Sequence, residues 1–161
     1  MRNPPIHEVD HRAVKVWRIT ALFTSLFYWL FPVGYYFLSK RVDVLPDWGL
    51  LLLLTLALII TLFEVIFVPI IRYRTWRYEI TAEEIYLQHG VFVVRRSSIP
   101  MTRVQHVETA QGVLLRPYDL AVVSIFTAGG KHKIPALQVD VADNLRNKIA
   151  EFAKVVDDHD V

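Results

Sequence analysis

Residues 48–71 read WGLLLLLTLALIITLFEVIFVPII, an apolar stretch between Asp47 and Arg72 in which Glu64 is the single charged side chain. An earlier apolar stretch, residues 19–39, carries no charge. At the α-helical rise per residue, this earlier stretch makes a helix about 31 Å long, which matches the hydrocarbon core of a bilayer. The two stretches therefore predict two transmembrane helices, at residues 19–39 and 48–71.

Composition supports a division into a membrane part and a soluble part. Of the 161 residues, 53% are hydrophobic, and both long apolar stretches lie within residues 1–71. A soluble core in so short a chain would not cover two such helices, which disfavours a pair of buried helices. A cleaved signal peptide is also disfavoured, because its charged lead would be long and would contain acids. Residues 72–161 suffice for one modest soluble core.

The overall charge and the missing cysteines exclude several classes of function. The chain has 18 Lys and Arg against 16 Asp and Glu, so the net charge of +2 gives no reason to expect a nucleic-acid partner. Without cysteine there are no disulfides, thiolate nucleophiles or cysteine metal ligands. In the soluble part, His89, His106 and His132 share no ligand-type spacing with one another, and motifs for phosphate loops and nucleophile elbows are missing. We therefore predict a protein that is not an enzyme and has no metal, cofactor or small-molecule substrate.

Basic residues flank the two predicted helices unevenly. More of them lie outside the pair than in the connecting segment, residues 40–47. The positive-inside rule then places residues 1–18 and residues 72–161 in the cytoplasm and the connecting segment outside. The outer bases are Arg2, Arg12, Lys15, Arg18, Arg72, Arg74 and Arg77, and the connecting segment has Lys40 and Arg41.

The cytoplasmic part reads as short strands followed by one amphipathic helix. Period-two alternation and β-branched or aromatic residues indicate the strands, with Phe92 expected on a core-facing strand position. Pro100 marks a break or an edge, and Gly129-Gly130 suits a tight hairpin turn. An apolar stripe at three- and four-residue spacing predicts the final helix, with Asp140 as its N-cap. The predicted strands are 75–80, 85–89, 91–97, 104–109, 120–127 and 132–136.

Five short segments stand in a distinctive order along the chain: RYEI at 77–80, Gly90, IPM at 99–101, RVQHV at 103–107 and KIPAL at 133–137. In this order they resemble the bacterial pleckstrin-homology-like domain family, and more narrowly its membrane-anchored YdbS-like branch. The resemblance implies a barrel of seven strands in two near-orthogonal sheets, closed at one end by the C-terminal helix. The expected fold is a membrane helical hairpin followed by a mainly-β pleckstrin-homology-like barrel with a C-terminal α-helix.

The resemblance implies binding, assembly and envelope-stress tolerance as roles, and no catalytic residues. The phosphoinositide site of eukaryotic relatives is not carried over, because the first loop, TAEE at 81–84, is acidic. The leading hypothesis is a non-enzymatic binding and assembly module at the cytoplasmic face of a bacterial membrane. Its partner would be another membrane protein, its own copies or a second pleckstrin-homology-like protein. The alternative is a module that senses anionic lipid through arginines near the membrane.

Glu64 is the first candidate site residue, because an acid inside a membrane span is costly and tends to be functional or paired. In an antiparallel hairpin its depth matches the middle of the first helix, which makes Thr24, Ser25 and Tyr28 candidate partners. One interpretation is an assembly contact with another membrane protein, or a protonatable switch. The other is a hydrogen bond within the hairpin, or a neutral, protonated acid.

A group of arginines forms the second candidate site. Each base beside an anionic leaflet contributes about 1 kcal/mol of attraction, so these arginines are candidates for headgroup contact. The other interpretation makes those directly after the second helix ordinary stop-transfer charges and the later pair a solvated hairpin. The candidates are Arg72, Arg74, Arg77, Arg95 and Arg96.

Overall fold

The computed structural model describes residues 5–42 and 45–159, with residues 154–159 described by their backbone alone. The chain divides into two compact units. One unit combines Met1–Ala13 with Ile71–Val161, and the other is Val14–Ile70. Three parts of the sequence predictions lie outside the described residues: Arg2, residues 43–44 of the connecting segment, and residues 160–161.

Two long helices account for most of the unit Val14–Ile70. Helix α1 is Ala13–Ser39 and helix α2 is Asp47–Thr75, so both exceed their predicted spans. Each is long and apolar enough to cross a membrane, judged by length and composition. Large apolar side chains along both helices are exposed, among them Phe23 and Leu51. A helix that is apolar on its exposed surface is suited to lipid rather than to water.

Helix α2 contains one turn of π-helix at Phe63–Phe67. Within this turn the Val68 amide donates to the carbonyl of Phe63, five residues back instead of four. The next residue, Pro69, has no amide hydrogen and interrupts the regular α-helical bonding pattern. Single π-turns are rare and are often found at functional sites. The turn contains Glu64.

The two helices approach closely near their connection. The hydroxyl of Tyr35 donates a hydrogen bond of 2.8 Å to the carbonyl of Pro46. Gly49 is buried, and a Cβ atom at this position would overlap the hydroxyl of Tyr35. The absence of a side chain at Gly49 therefore allows α1 and the start of α2 to pack together.

In the described part of the other unit, seven antiparallel strands form two sheets. The first sheet has the order β1-β2-β3-β4 and the second has the order β5-β6-β7. The strands are β1 His7–Glu8, β2 Arg77–Ile80, β3 Glu84–His89, β4 Arg95–Pro100, β5 Val104–Ala110, β6 Leu120–Thr127 and β7 Gly130–Gln138. A two-residue turn joins β6 to β7, with Thr127 paired to Gly130, as the adjacent glycines predict.

The expected closed barrel is not formed. No strand ladder joins the two sheets within residues 5–42 and 45–159. Strand β4 ends at Pro100, which cannot donate an amide hydrogen to a further ladder. A 3-10 turn at Met101–Arg103 then carries the chain into the second sheet. The side chains of Ile85, Leu87 and Ile125 are buried in this unit.

The predicted strand at residues 91–97 is wrong in its first half. The strand β4 begins only at Arg95, and residues 91–94 form the loop between β3 and β4. Gly90 has a φ of 143°, which turns the chain away from the strand path. Phe92, expected in the core, is 81% exposed.

The unit that contains the two sheets, Met1–Ala13 with Ile71–Val161, is called the soluble unit below. The segment before α1 forms part of this unit, a feature that no sequence pattern predicts. Strand β1 pairs with β2, His7 opposite Tyr78 and Glu8 opposite Arg77. Two residues later, the Asp10 amide donates to the carbonyl of Ala136 in β7 at 3.0 Å. The segment therefore contacts both sheets, because β2 belongs to the first and β7 to the second.

A bulge in β7 creates the point where Asp10 attaches. Between the pairs Ala121–Leu137 and Val123–Ile134, strand β7 has one more residue than β6. Ala136 in this bulge has a φ of 52°, a conformation in which a ladder is locally interrupted. The Asp10 carboxylate also accepts a 3.0 Å hydrogen bond from the side chain of Gln138.

Helix α3, Val139–His159, packs on the second sheet. Its Ala142 and Ile149 side chains are fully buried, which agrees with the predicted apolar stripe. The predicted N-cap is wrong, since the helix begins at Val139 and Asp140 lies in the first turn. An acid in the first turn still interacts favourably with the helix dipole.

Candidate functional site

The two helices of the unit Val14–Ile70 meet through a polar pair. The hydroxyl of Tyr28 in α1 donates a hydrogen bond of 3.2 Å to Oε1 of Glu64 in α2. Both side chains are half-buried, and Glu64 lies in the π-turn. The apolar surfaces of the two helices provide few other partners for an acid, so this contact offsets part of the cost of removing Glu64 from water.

The other two candidate partners bond within their own helix. Thr24 donates to the carbonyl of Ala21 and Ser25 to that of Leu22. Among the described residues, Tyr28 is therefore the single hydrogen-bond donor to Glu64, and it contacts Oε1. The second carboxylate oxygen, Oε2, has no donor within this part of the chain.

A second polar contact joins the helices one turn away. Nε1 of Trp29 donates to Oγ1 of Thr61 at 3.2 Å. Beside this contact lies a groove of about 520 Å³ with almost entirely apolar walls. Its lining comes mainly from α1 and includes Leu22, Ser25 and Leu26. The hairpin thus combines two polar contacts with an apolar groove.

A basic corner forms where α2 enters the soluble unit. The hydroxyl of Thr75, the last residue of α2, donates to the carbonyl of Gly90. The indole of Trp76 stacks on the ring of His89, with centroids 5.4 Å apart. These contacts hold the β3–β4 loop beside the last turn of α2.

Positive charge gathers around His89. Burial lowers the pKa of His89 below its ordinary value, and the charges of Arg95 and Arg72 lower it further. Its Nδ1 atom is buried and has no hydrogen-bond partner within the described residues. The ring is therefore neutral near pH 7, and the positive charge of the corner comes from arginine.

The five candidate arginines have different surroundings. Arg72, Arg74, Arg95 and Arg96 are exposed, and Nε of Arg96 donates to Gln88 at 2.8 Å. Arg77 instead forms a 2.7 Å ion pair with Glu8 of β1 and donates to the backbone of Trp76. Arg77 is thus paired within the first sheet, whereas the side chains of the other four arginines are exposed.

Sequence reasoning missed the loop at residues 91–94 as a feature of the surface. Val93 is 68% exposed and Val94 is 48% exposed, beside the more exposed Phe92. β-branched residues favour strands, so the composition of this run predicts a strand. An apolar run between a glycine and two arginines, too short to continue as a strand, is the signal that would have indicated an exposed loop.

A metal centre has no support in the described part of the chain, where no group of three or more His, Asp or Glu side chains lies together.

The sequence model of the bacterial PH (pleckstrin-homology) domain family matches residues 9–153 of this chain. The chain belongs to the bacterial PH domain family. This confirms the family that the sequence segments indicate. The match begins before α1, consistent with a PH-like unit that includes residues on both sides of the helix pair.

Two curated relatives are similar to this bacterial PH domain protein. The transmembrane protein YdbS of Bacillus subtilis (strain 168) is 40% identical over 158 residues, covering 98% of this chain and 99% of YdbS. The transmembrane protein YdbT of the same organism is 31% identical over 87 residues, 53% of this chain and 18% of YdbT. No solved structure matches the chain. YdbS is named a transmembrane protein, and this chain has two helices that are long and apolar enough to cross a membrane.

Proposed function

We propose that this bacterial PH domain protein is a non-enzymatic assembly module, anchored by two transmembrane helices, that binds a second membrane protein. In this proposal α1 and α2 both cross the membrane, and the PH-like unit lies on the cytoplasmic face. The pairing of β1 with β2 supports an even number of crossings, because His7 precedes α1 and Tyr78 follows α2. The excess of bases outside the helix pair supports the cytoplasmic side.

The observation that carries the assembly role is the half-satisfied carboxylate of Glu64. Tyr28 donates to Oε1, and Oε2 has no donor in the described part of the chain. A polar group in lipid gains from every hydrogen bond that a neighbouring helix supplies, since water does not compete there. A donor from a partner's helix would complete the bonding of Glu64.

The partner that we propose is another membrane protein with a PH-like domain, or a second copy of this chain. YdbT supports the first choice, because it is named a transmembrane protein and shares a segment of 87 residues with this chain. A role in envelope-stress tolerance is the physiological part of the proposal and predicts greater stress sensitivity in a deletion strain.

Two substitutions at the polar pair separate assembly from hairpin stability. Glu64→Gln removes the charge and should weaken the complex by about 1–2 kcal/mol, roughly five- to thirtyfold. Tyr28→Phe removes the donor within the hairpin but keeps the carboxylate, so the complex should persist. Native mass spectrometry of the full-length protein extracted from its own membrane in mild detergent measures the complex.

The outcome for the two variants decides between the interpretations of Glu64. Equal loss of complex in both, accompanied by equal loss of thermal stability, would show that the pair only stabilises the hairpin. An unchanged complex in Glu64→Gln would remove the assembly role. Thr55→Ala is the matched control, because Thr55 is exposed on the same helix and its hydroxyl donates to the carbonyl of Leu51 in that helix.

Anionic-lipid sensing is the second candidate, favoured by the basic corner. Arg72 and Arg95 both act on His89, so arginines from α2 and from β4 converge there. Salt screens the attraction between exposed arginines and headgroups, whereas a contact inside the helix pair is shielded. The two candidates therefore respond differently to ionic strength.

A further inference from the structure

The loop between β3 and β4 exposes a run of apolar side chains. Phe92 is 81% exposed, Val93 68% and Val94 48%. A single exposed apolar side chain needs no explanation, but a contiguous run at a loop tip marks an interaction surface. The two residues that follow the run, Arg95 and Arg96, are exposed bases.

The loop lies close to the end of the apolar part of α2. The hydroxyl of Thr75 donates to the carbonyl of Gly90, the residue directly before the loop. Thr75 is four residues beyond Ile71, which is about 6 Å along a helix axis. The headgroup layer of a bilayer is about 5–8 Å thick on each side of the hydrocarbon core. When the hydrocarbon core of the membrane ends at Ile71, Gly90 therefore lies at the depth of the headgroups.

The chemistry of the loop and its flanks matches that depth. Apolar side chains bind at the boundary of headgroups and acyl chains, and bases bind the phosphates above it. The last turn of α2 adds Arg72 and Arg74 to the bases of β4. The apolar run and its flanking bases therefore have the composition of a segment that binds at the membrane interface.

We propose that residues 91–94 insert into the headgroup region of the membrane, with Arg95 and Arg96 binding anionic lipid phosphates. The loop then acts as a second attachment point for the soluble unit, in addition to α2. The inference rests on the proposed membrane crossing of α2 and is independent of the assembly role of Glu64.

A fluorescent probe at Val93 tests the insertion. The chain has no cysteine, so Val93→Cys in the full-length protein can be labelled with an environment-sensitive nitrobenzoxadiazole dye. The labelled protein is placed in lipid nanodiscs containing phosphatidylcholine and anionic phosphatidylglycerol. We expect a blue-shifted emission that is quenched by lipids with a nitroxide near the headgroup, at a depth of about 5–10 Å. Arg95→Glu with Arg96→Glu should reduce this quenching.

Two further labelling positions serve as controls. Val113 is 80% exposed in a different loop of the same unit, and a probe there should behave as in water. Leu58 is exposed in the middle of α2, and a probe there should be quenched by nitroxide deep in the acyl chains. If the Leu58 probe is not quenched, the membrane crossing fails; if only the Val93 probe is not quenched, the loop inference fails.

Two more specific outcomes for the Val93 probe also contradict the inference. A Val93 probe shielded from aqueous iodide but not quenched by lipid nitroxide would show that protein covers the loop. A Val93 probe with the same emission as the Val113 probe would show that the loop stays in water. Either result would overturn insertion while leaving the Glu64 proposal untouched.

Discussion

His89 is a neutral base among positive charges, which makes its protonation a cost to folding. Its ring stacks on Trp76, and burial, Arg95, Arg72 and His132 all lower its pKa from the ordinary 6.5. In the unfolded chain the ring binds a proton below about pH 6.5, whereas in the folded chain it does so only at lower pH. The stability that comes from keeping His89 neutral is therefore fully present above about pH 6.5. This stability is lost as the pH falls from about 6.5 toward the pKa of His89 in the folded chain.

This linkage predicts that His89→Gln weakens the dependence of stability on acid. Between about pH 7 and pH 5.5 the wild-type melting temperature should fall further than that of the variant. Thermal unfolding of the full-length protein in detergent, followed by tryptophan fluorescence, measures the difference. His106→Gln, which replaces an exposed histidine in a different strand, serves as the control. Parallel profiles for wild type and His89→Gln would contradict the prediction.

At the same scale, some site residues were accessible to sequence reasoning and others were not. The antiparallel hairpin register brings position 28 near Glu64, and Tyr28 is the side chain that makes the contact. Sequence spacing could not choose among the three candidates, because the rotation of α1 depends on packing such as that at Gly49. Nor could it foresee the pairing of Arg77 with Glu8, which lies far away in the chain.

The β3–β4 hairpin depends on the backbone of Gly90. Its φ is 143°, and a Cβ atom would overlap the carbonyl oxygen of Val93. Gly90→Ala should therefore destabilise the soluble unit by about 2–3 kcal/mol and displace the loop. In Gly112→Ala the new Cβ atom meets nothing within 4 Å, so stability should change by less than about 0.5 kcal/mol. Thermal unfolding of the two full-length variants measures both effects, and equal effects would argue against strain at Gly90.

Among the elements, those with the strongest composition or pattern were the most predictable. The two apolar helices follow from the lengths of their apolar stretches, strand β6 from its β-branched and aromatic residues, and helix α3 from its hydrophobic period. The run at residues 91–94 has the composition of a strand, but a strand also needs a partner and a half-buried face. The pairing of His89 with Arg95 closes the hairpin below these residues and leaves them outside the ladder.

At the scale of the whole molecule, the helix pair is an insertion within the PH-like unit. Val9 is 3% exposed and Ala13, the first residue of α1, is fully buried, so residues 9–13 contribute to the core of this unit. Strand β1 has only two residues and no alternation, which is why no sequence pattern revealed it. The split unit emerged only from the tertiary pairing.

This arrangement predicts that residues 71–161 alone form an incomplete unit. A chain in which a flexible linker replaces Val14–Ile70 should be more stable than residues 71–161 by about 2–4 kcal/mol, from burial of Val9 and the bonds of Asp10. Urea unfolding of the two soluble proteins measures the difference. Asp10→Ala in the linked protein should lose about 1–2 kcal/mol, since the Arg12 amide and Gln138 both donate to its carboxylate. Equal stability with and without residues 5–13 would refute the prediction.

The position of β1 gives the order of synthesis a physical meaning. Residues 7–10 leave the ribosome before either helix and remain unpaired for several seconds, at about 5–20 residues per second, until β2 and β7 are made. In a membrane that both helices cross, they find those strands only if they have stayed on the same side. A chain inserted with one end on the wrong side keeps an open sheet edge and an empty place at the Ala136 bulge. The sheet is therefore completed only in correctly inserted chains. Wrongly inserted chains keep an unpaired sheet edge, which makes them better substrates for quality-control proteases.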